Sequence, residues 1–168
     1  FNPNPFVGVT GGRNSVPCVI DLNSDGINEI LIGNFLGHLY KYTLSKDIGD
    51  FRFELDVRKF RNLDVGIGAV PFIADINNDQ YPDIFVLDML PEDEEVLKRS
   101  AGDDSYEIYE MKLRFGFNKQ FSRNTLQLNN KNNSFSEVSQ IANIHATDWS
   151  WSTLIEDFDL DSKNDIYI

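Results

Sequence analysis

The sequence predicts an all-β protein with a short helical insertion, and three observations lead there. A unit made of a short apolar strand, an acidic loop and a second apolar strand occurs three times. The runs between turn residues are rich in β-branched and aromatic side chains, which suit a pleated, half-buried surface. Only residues 90–121 depart from this pattern, with apolar residues at helical rather than alternating spacing.

The three copies align without a gap. They read VPCVIDLNSDGINEILI from Val16, VPFIADINNDQYPDIFV from Val70 and STLIEDFDLDSKNDIYI from Ser152. Their loops begin at Asp21, Asp75 and Asp157, and each loop carries an acid at its first, fifth and ninth positions. Between the first two copies, GHLYKY (37–42) reads as a short strand after a glycine turn. FRFELDV, with Phe51, Phe53, Leu55 and Val57 on one face, has the clearest period of two in the chain. Beyond the second copy, Pro91 followed by acids marks a helix N-terminus. Val96, Leu97, Ile108, Tyr109, Met111, Leu113 and Phe115 continue it as one or two short helices. NTLQLNNKNNSFSEVS then reads as a hairpin turning in its Asn-rich middle.

Bulk properties narrow the function. At 168 residues the chain is long enough for one ordinary domain. A net charge of −12 argues against nucleic acid or an anionic membrane surface as the main partner. No apolar run approaches the ~20 residues of a membrane span. There is no basic-then-apolar leader, so a secretion signal is expected to lie outside these residues or to have been removed. The single Cys18, among apolar neighbours, is expected to be a small buried strand residue.

The acidic loops point to a hard cation. Calcium takes six to eight oxygen ligands, and side-chain oxygens at alternate loop positions converge on one concavity. The first loop (21–29) offers Asp21, Asn23, Asp25, the carbonyl of Ile27 and Glu29. The second (75–83) offers Asp75, Asn77, Asp79, the carbonyl of Tyr81 and Asp83. The third (157–165) offers Asp157, Asp159, Asp161, the carbonyl of Lys163 and Asp165. Ten of the chain's 27 acids sit in these loops, and up to three Ca2+ would halve the net charge from −12 to −6. Without ions, the clustered carboxylates repel and raise one another's pKa. The alternative is a set of plain Asp/Asn-rich turns. An EF-hand is excluded, because position 12 is Ile32, Val86 and Ile168 rather than Glu, and strand-like residues follow. Gly26 suits the sharp turn of the first loop; Gln80 and Ser162 stand there in the others and would pay for a left-handed backbone.

Strand, Asp-x-(Asp/Asn)-x-Asp-x-x-x-(Asp/Glu), strand resembles the FG-GAP/VCBS repeats of integrin α-subunit propellers and many bacterial surface proteins. Gly68, Ala69 and Pro71 loosely echo the Gly-Ala-Pro element of such repeats. From Asp88 onward the chain resembles more narrowly the large VCBS-repeat proteins of Bacteroidetes-type bacteria. The resemblance implies β-propeller blades with structural calcium between strands, 1–168 being a fragment of a larger, seven-bladed-type propeller. Further blades or another chain would be needed to close it, because propellers take about four to eight. It also implies an extracellular, cell-surface or outer-membrane scaffold, with the periplasm as a further possibility, binding a protein or glycan partner.

Two rival readings start from the same residues. A propeller-based polysaccharide lyase or hydrolase would draw on His38, Arg123, His145 and Asp148, with Trp149 and Trp151 either lining a sugar cleft or packing between sheets. Only two histidines are present, and no G-x-S-x-G, H-E-x-x-H or P-loop motif occurs, so a non-enzymatic scaffold is preferred. Alternatively the insertion 90–121, with its acidic start and Tyr106 and Tyr109, could serve as a docking face, the plainer reading being a solvated helical cap; a docking subunit of an outer-membrane polysaccharide-uptake complex is a further alternative for the whole chain.

Overall fold

A computed structural model describes residue 6 and residues 8–45, 52–56, 68–100, 105–115, 117, 120–132 and 134–168. Among these the chain is mainly β, in antiparallel sheets. The first sheet contains β1 (Val16–Ile20), β2 (Glu29–Gly33), β3 (Leu39–Leu44) and β4 (Phe53–Leu55), in that order. The second contains β5 (Pro71–Ala74), β6 (Asp83–Val86), β7 (Thr125–Asn129) and β8 (Phe135–Glu137), again in chain order. The third pairs β9 (Leu154–Glu156) with β10 (Asp165–Tyr167). The expected strand at FRFELDV is present as β4, while Phe51 and Val57 lie outside the described residues.

The three sequence copies fold alike down to register. The residue before each loop pairs with the loop's ninth residue: Ile20 with Glu29, Ala74 with Asp83, and Glu156 with Asp165. Each closing acid is therefore also the first residue of its exit strand.

Burial explains why the apolar exit runs are needed. Every residue of β2 and β6 is buried, because both faces of these strands are covered. Leu22, Leu31 and Leu39 of the first sheet pack with Ala69, Ile84 and Val86 of the second. On the other face of β2, Ile30 and Ile32 pack with Tyr42. The sheets approach closely at Gly33, where a Cβ would lie 2.2 Å from the carbonyl oxygen of Ala69. No side chain fits there.

The insertion forms two helices between β6 and β7: α1 (Glu94–Arg99) and α2 (Tyr106–Arg114). The first begins three residues after Pro91, where Asp93 caps the amides of Glu95 and Val96. Glu94–Lys98 and Glu95–Arg99 pairs then run along its exposed side. Neither helix has a buried residue, as a solvated elaboration of a β scaffold would have it. No described helix is long and apolar enough to cross a membrane.

Trp149 and Trp151 correct the expectation that they pack between sheets. They lie 53% and 84% exposed on the segment leading into β9. Cys18 is half-buried rather than enclosed, and that burial pushes its thiol pKa up.

Candidate metal centres

Each acidic loop is built by the same five hydrogen bonds. The position-5 amide donates to the side chains at positions 1 and 3. These are Asp25 N to Asp21 Oδ1 and Asn23 Oδ1, both 3.0 Å. The counterparts are Asp79 N to Asp75 and Asn77 (2.9 and 3.0 Å) and Asp161 N to Asp157 and Asp159 (3.0 and 3.1 Å). The position-6 amide reaches the second oxygen of position 1, at 2.7, 2.7 and 2.9 Å. The position-7 amide donates to the position-5 carboxylate. Finally, the position-2 amide donates to the closing acid: Leu22 to Glu29, Ile76 to Asp83 and Phe158 to Asp165.

This wiring dictates the backbone. Position 4 is left-handed in every loop (Ser24 φ 57°, Asn78 57°, Leu160 63°), and so is position 6 (Gly26 82°, Gln80 71°, Ser162 69°). Gln80 and Ser162 thus take the same turn as the glycine. A left-handed non-glycine residue costs roughly 1–2 kcal/mol, and here its amide gains a carboxylate acceptor.

The gathered donors suit a hard cation. Oxygen atoms of Asp157, Asp159 and Asp165 all lie within 4.8 Å of one another. A carboxylate has about four acceptor sites, so an oxygen that accepts a loop amide keeps capacity for an ion. Asp21, Asn23, Asp25 and Glu29 hold the matching positions in the first loop, as do Asp75, Asn77, Asp79 and Asp83 in the second, although among the described residues only the third loop gathers three acid oxygens this closely. The carbonyls of Ile27, Tyr81 and Lys163 follow at position 7. Donors that are all oxygen, and mostly anionic, match calcium better than a softer metal.

Electrostatics point the same way. Glu29 is 3% exposed and Asp83 fully buried. Burial is the main cause that raises both pKa values, and the other acids of each loop push in the same direction. Asp161, on the exposed side of its loop, is instead lowered by its hydrogen bond with Lys163. Asp165 is more open than its equivalents because its strand is paired on one side only among the described residues.

Several connecting residues carry no motif of their own. Asn129 donates from its side chain to the carbonyls of Leu22 and Pro82, and from its backbone to Asp83 Oδ1. It thereby ties the first two loops together. Ser24 Oγ donates to the Gln80 carbonyl, and Asn78 Nδ2 to that of Ser162. Asn164 Nδ2 donates to the carbonyl of Asp75. The polar residue at position 4 of the first two loops, Ser24 and Asn78, is the sequence signal that could have revealed part of this network.

The residues considered for catalysis lie apart from the loops and make the following contacts, His145 through its backbone, with its buried Nδ1 left without a hydrogen-bond partner among the described residues. Arg123 pairs with Glu137 at 3.2 Å, and the His38 ring lies edge-on to Tyr40. The His145 carbonyl accepts from Asn124 N. Asp148 holds the Leu90–Glu92 segment through its own amide and its carboxylate. No known family model, curated protein or solved structure matches the chain.

Proposed function

We propose that this chain is a calcium-binding scaffold of the FG-GAP/VCBS kind, built of β-propeller blades, working outside the cytoplasm to hold a protein or glycan partner. The threefold identity of loop wiring carries the reading. Three separate segments reach the same five hydrogen bonds and the same two left-handed residues, with ten acids held in the loops. Calcium is structural in this reading: it neutralises the buried Glu29 and Asp83 and locks each strand pair at its loop.

The blade arrangement is supported by successive sheets that share chain order and loop position. The face of the third sheet carrying Leu154, Phe158 and Tyr167 is largely exposed. Its counterparts in the first two sheets include Leu31 and Phe85, which are wholly buried. Another sheet of the same kind, in this chain or in a partner, would cover that face. The exposed Trp149 and Trp151 are the residues on which a glycan ring would stack.

Thermal unfolding in EGTA and then in rising calcium, with magnesium as the control, tests the reading. A site filled at ten to a hundred times its dissociation constant adds about 1.4–2.7 kcal/mol. A melting temperature that climbs with calcium and hardly with magnesium is expected. No shift up to ~10 mM calcium, above the range of most extracellular modules, would leave the loops as acidic turns.

A further inference from the structure

The second helix of the insertion carries an apolar stripe along its outer side. Ile108, Met111 and Phe115 stand at i, i+3 and i+7, the spacing that brings side chains onto one helical face. They are 42%, 49% and 72% exposed, while Tyr109 and Leu113 on the opposite side are half-buried. Phe115 closes the last turn, its amide donating to the Met111 carbonyl at 3.1 Å. Three large apolar side chains in line on the solvent side are not what a merely solvated helix needs.

Charge along the same face is ordered. Glu107 lies in the first turn of α2 and Arg114 in the last, both exposed. Seven residues apart, they fall within about 20° of each other around the helix, on one flank of the stripe. The helix dipole favours this order of charge. Its further consequence is that the face complements itself. When a second copy of the helix lies antiparallel across the stripe, a two-fold axis keeps like flanks together and reverses the ends. Glu107 lies four residues before Met111 and Arg114 three after it. A pair centred on Met111 therefore sets Glu107 against Arg114 of the other copy, and symmetry makes the contact twice. Ile108 meets Phe115 of the other copy on either side of a central pair of Met111 side chains. On the far flank, Lys112 is half-buried and near enough to Asp88 of its own chain to oppose the rise that burial gives that carboxyl's pKa.

We propose that α2 is the contact of a two-fold dimer, in which a second copy of this chain lays its own α2 antiparallel across Ile108, Met111 and Phe115. A partner helix of uniform charge would be repelled at one end of the stripe. A bipolar one satisfies both ends, and α2 itself is such a helix. The contact is small, one nine-residue helix from each copy, and each chain carries a net charge of −12. Association is therefore weak and reversible, with a dissociation constant on the order of 0.1 mM.

Sedimentation equilibrium of the whole chain in EGTA, from ~10 μM to ~1 mM protein, tests this independently of any metal. A monomer–dimer equilibrium is expected. Met111→Asp should weaken it at least about tenfold, by bringing two carboxylates together at the centre. Glu107→Arg and Arg114→Glu should each weaken it at least about threefold, because each turns two attractive exposed pairs into repulsive ones. Combining Glu107→Arg with Arg114→Glu restores both pairs and should return the dissociation constant to within about twofold of the parent's. All three positions are exposed, and melting in dilute solution checks that the fold is kept. Should Met111→Asp melt early, the charge variants alone decide. A chain that stays monomeric up to ~1 mM overturns the dimer, as does association that a folded Met111→Asp leaves unchanged. A double variant no tighter than the single ones overturns the antiparallel pairing and the proposal with it.

Discussion

Ser24 Oγ donates to the carbonyl oxygen of Gln80 at 2.7 Å, and the same link recurs between Asn78 and Ser162 at 2.6 Å. In both cases position 4 of one loop holds position 6 of the next. Position 4 stands between two candidate ion ligands, and position 6 fixes the carboxylate at position 1 through its amide. Order in one loop is therefore transmitted to its neighbour. Ser24→Ala and Asn78→Ala should each lower stability by about 0.5–1.5 kcal/mol, the net worth of one hydrogen bond. They should also make calcium filling, followed by calorimetry, less cooperative than in the parent. Unchanged denaturation and titration curves would show that the links carry no coupling.

Asp83 and Asp25 separate architecture from ion binding. Asp83 is fully buried and accepts from Ile76 N at 3.0 Å and Asn129 N at 2.8 Å. Asp83→Ala strands two amides, so it should cost about 2–5 kcal/mol even in EGTA. The exposed carboxylate of Asp25 accepts from Ile27 N at 2.8 Å, and Asp25→Ala should cost no more than about 1 kcal/mol there. Both should reduce the stabilisation gained on adding calcium. Urea denaturation with and without calcium reads the two effects apart.

Asp88 gives a pH test away from the loops. Burial raises its pKa above the ordinary 3.8, although the amides of Met89 and Arg123 oppose the shift. A carboxyl whose folded pKa is raised favours the folded state while protonated. Its contribution is fully present below the unfolded value and is lost as pH rises through the folded one. In EGTA, Asp88→Asn should therefore flatten the fall in melting temperature over that window. A pH profile identical to the parent's would show that Asp88 is not responsible.

Gly33 and Gly26 are constrained differently. At Gly33 a methyl group would strike the Ala69 backbone, so Gly33→Ala must push the sheets apart and should cost about 1–3 kcal/mol or more. At Gly26 there is open space but φ is +82°, so Gly26→Ala should cost roughly 1–2 kcal/mol through the backbone alone. Chemical denaturation of both variants checks the order. A Gly33→Ala cost below that of Gly26→Ala would refute the close approach.

The loops were legible because their hydrogen bonds are local: each acid binds amides a few residues away, so spacing encodes geometry. The strands beside them followed from the apolar exit runs. Links spanning 56 and 84 residues were not legible, since they end on backbone carbonyls, which any residue supplies. The turn at Gln80 and Ser162 follows the first loop despite side-chain preference, because the position-6 amide must reach the leading aspartate. Lys41 was hidden for another reason. Alternation along LYKY gives its face, and only the pairing with Leu31 shows that a charge sits in the core.

The position-4 links between loops have a direction. Their donor lies in the earlier copy and their acceptor in the later one, while Asn164 of the third loop returns a different bond to the Asp75 carbonyl, so two loops meet through unlike surfaces. Such contacts are heterologous: they cannot form a two-fold symmetric pair, and their repetition leads only to a closed ring or an open helix. Leu160, which occupies the donor place in the third loop, has no side-chain hydrogen to give. The position-4 series of donors therefore stops there, and a unit packed beyond the third loop would meet an exposed leucine in the place where the earlier loops present a donor.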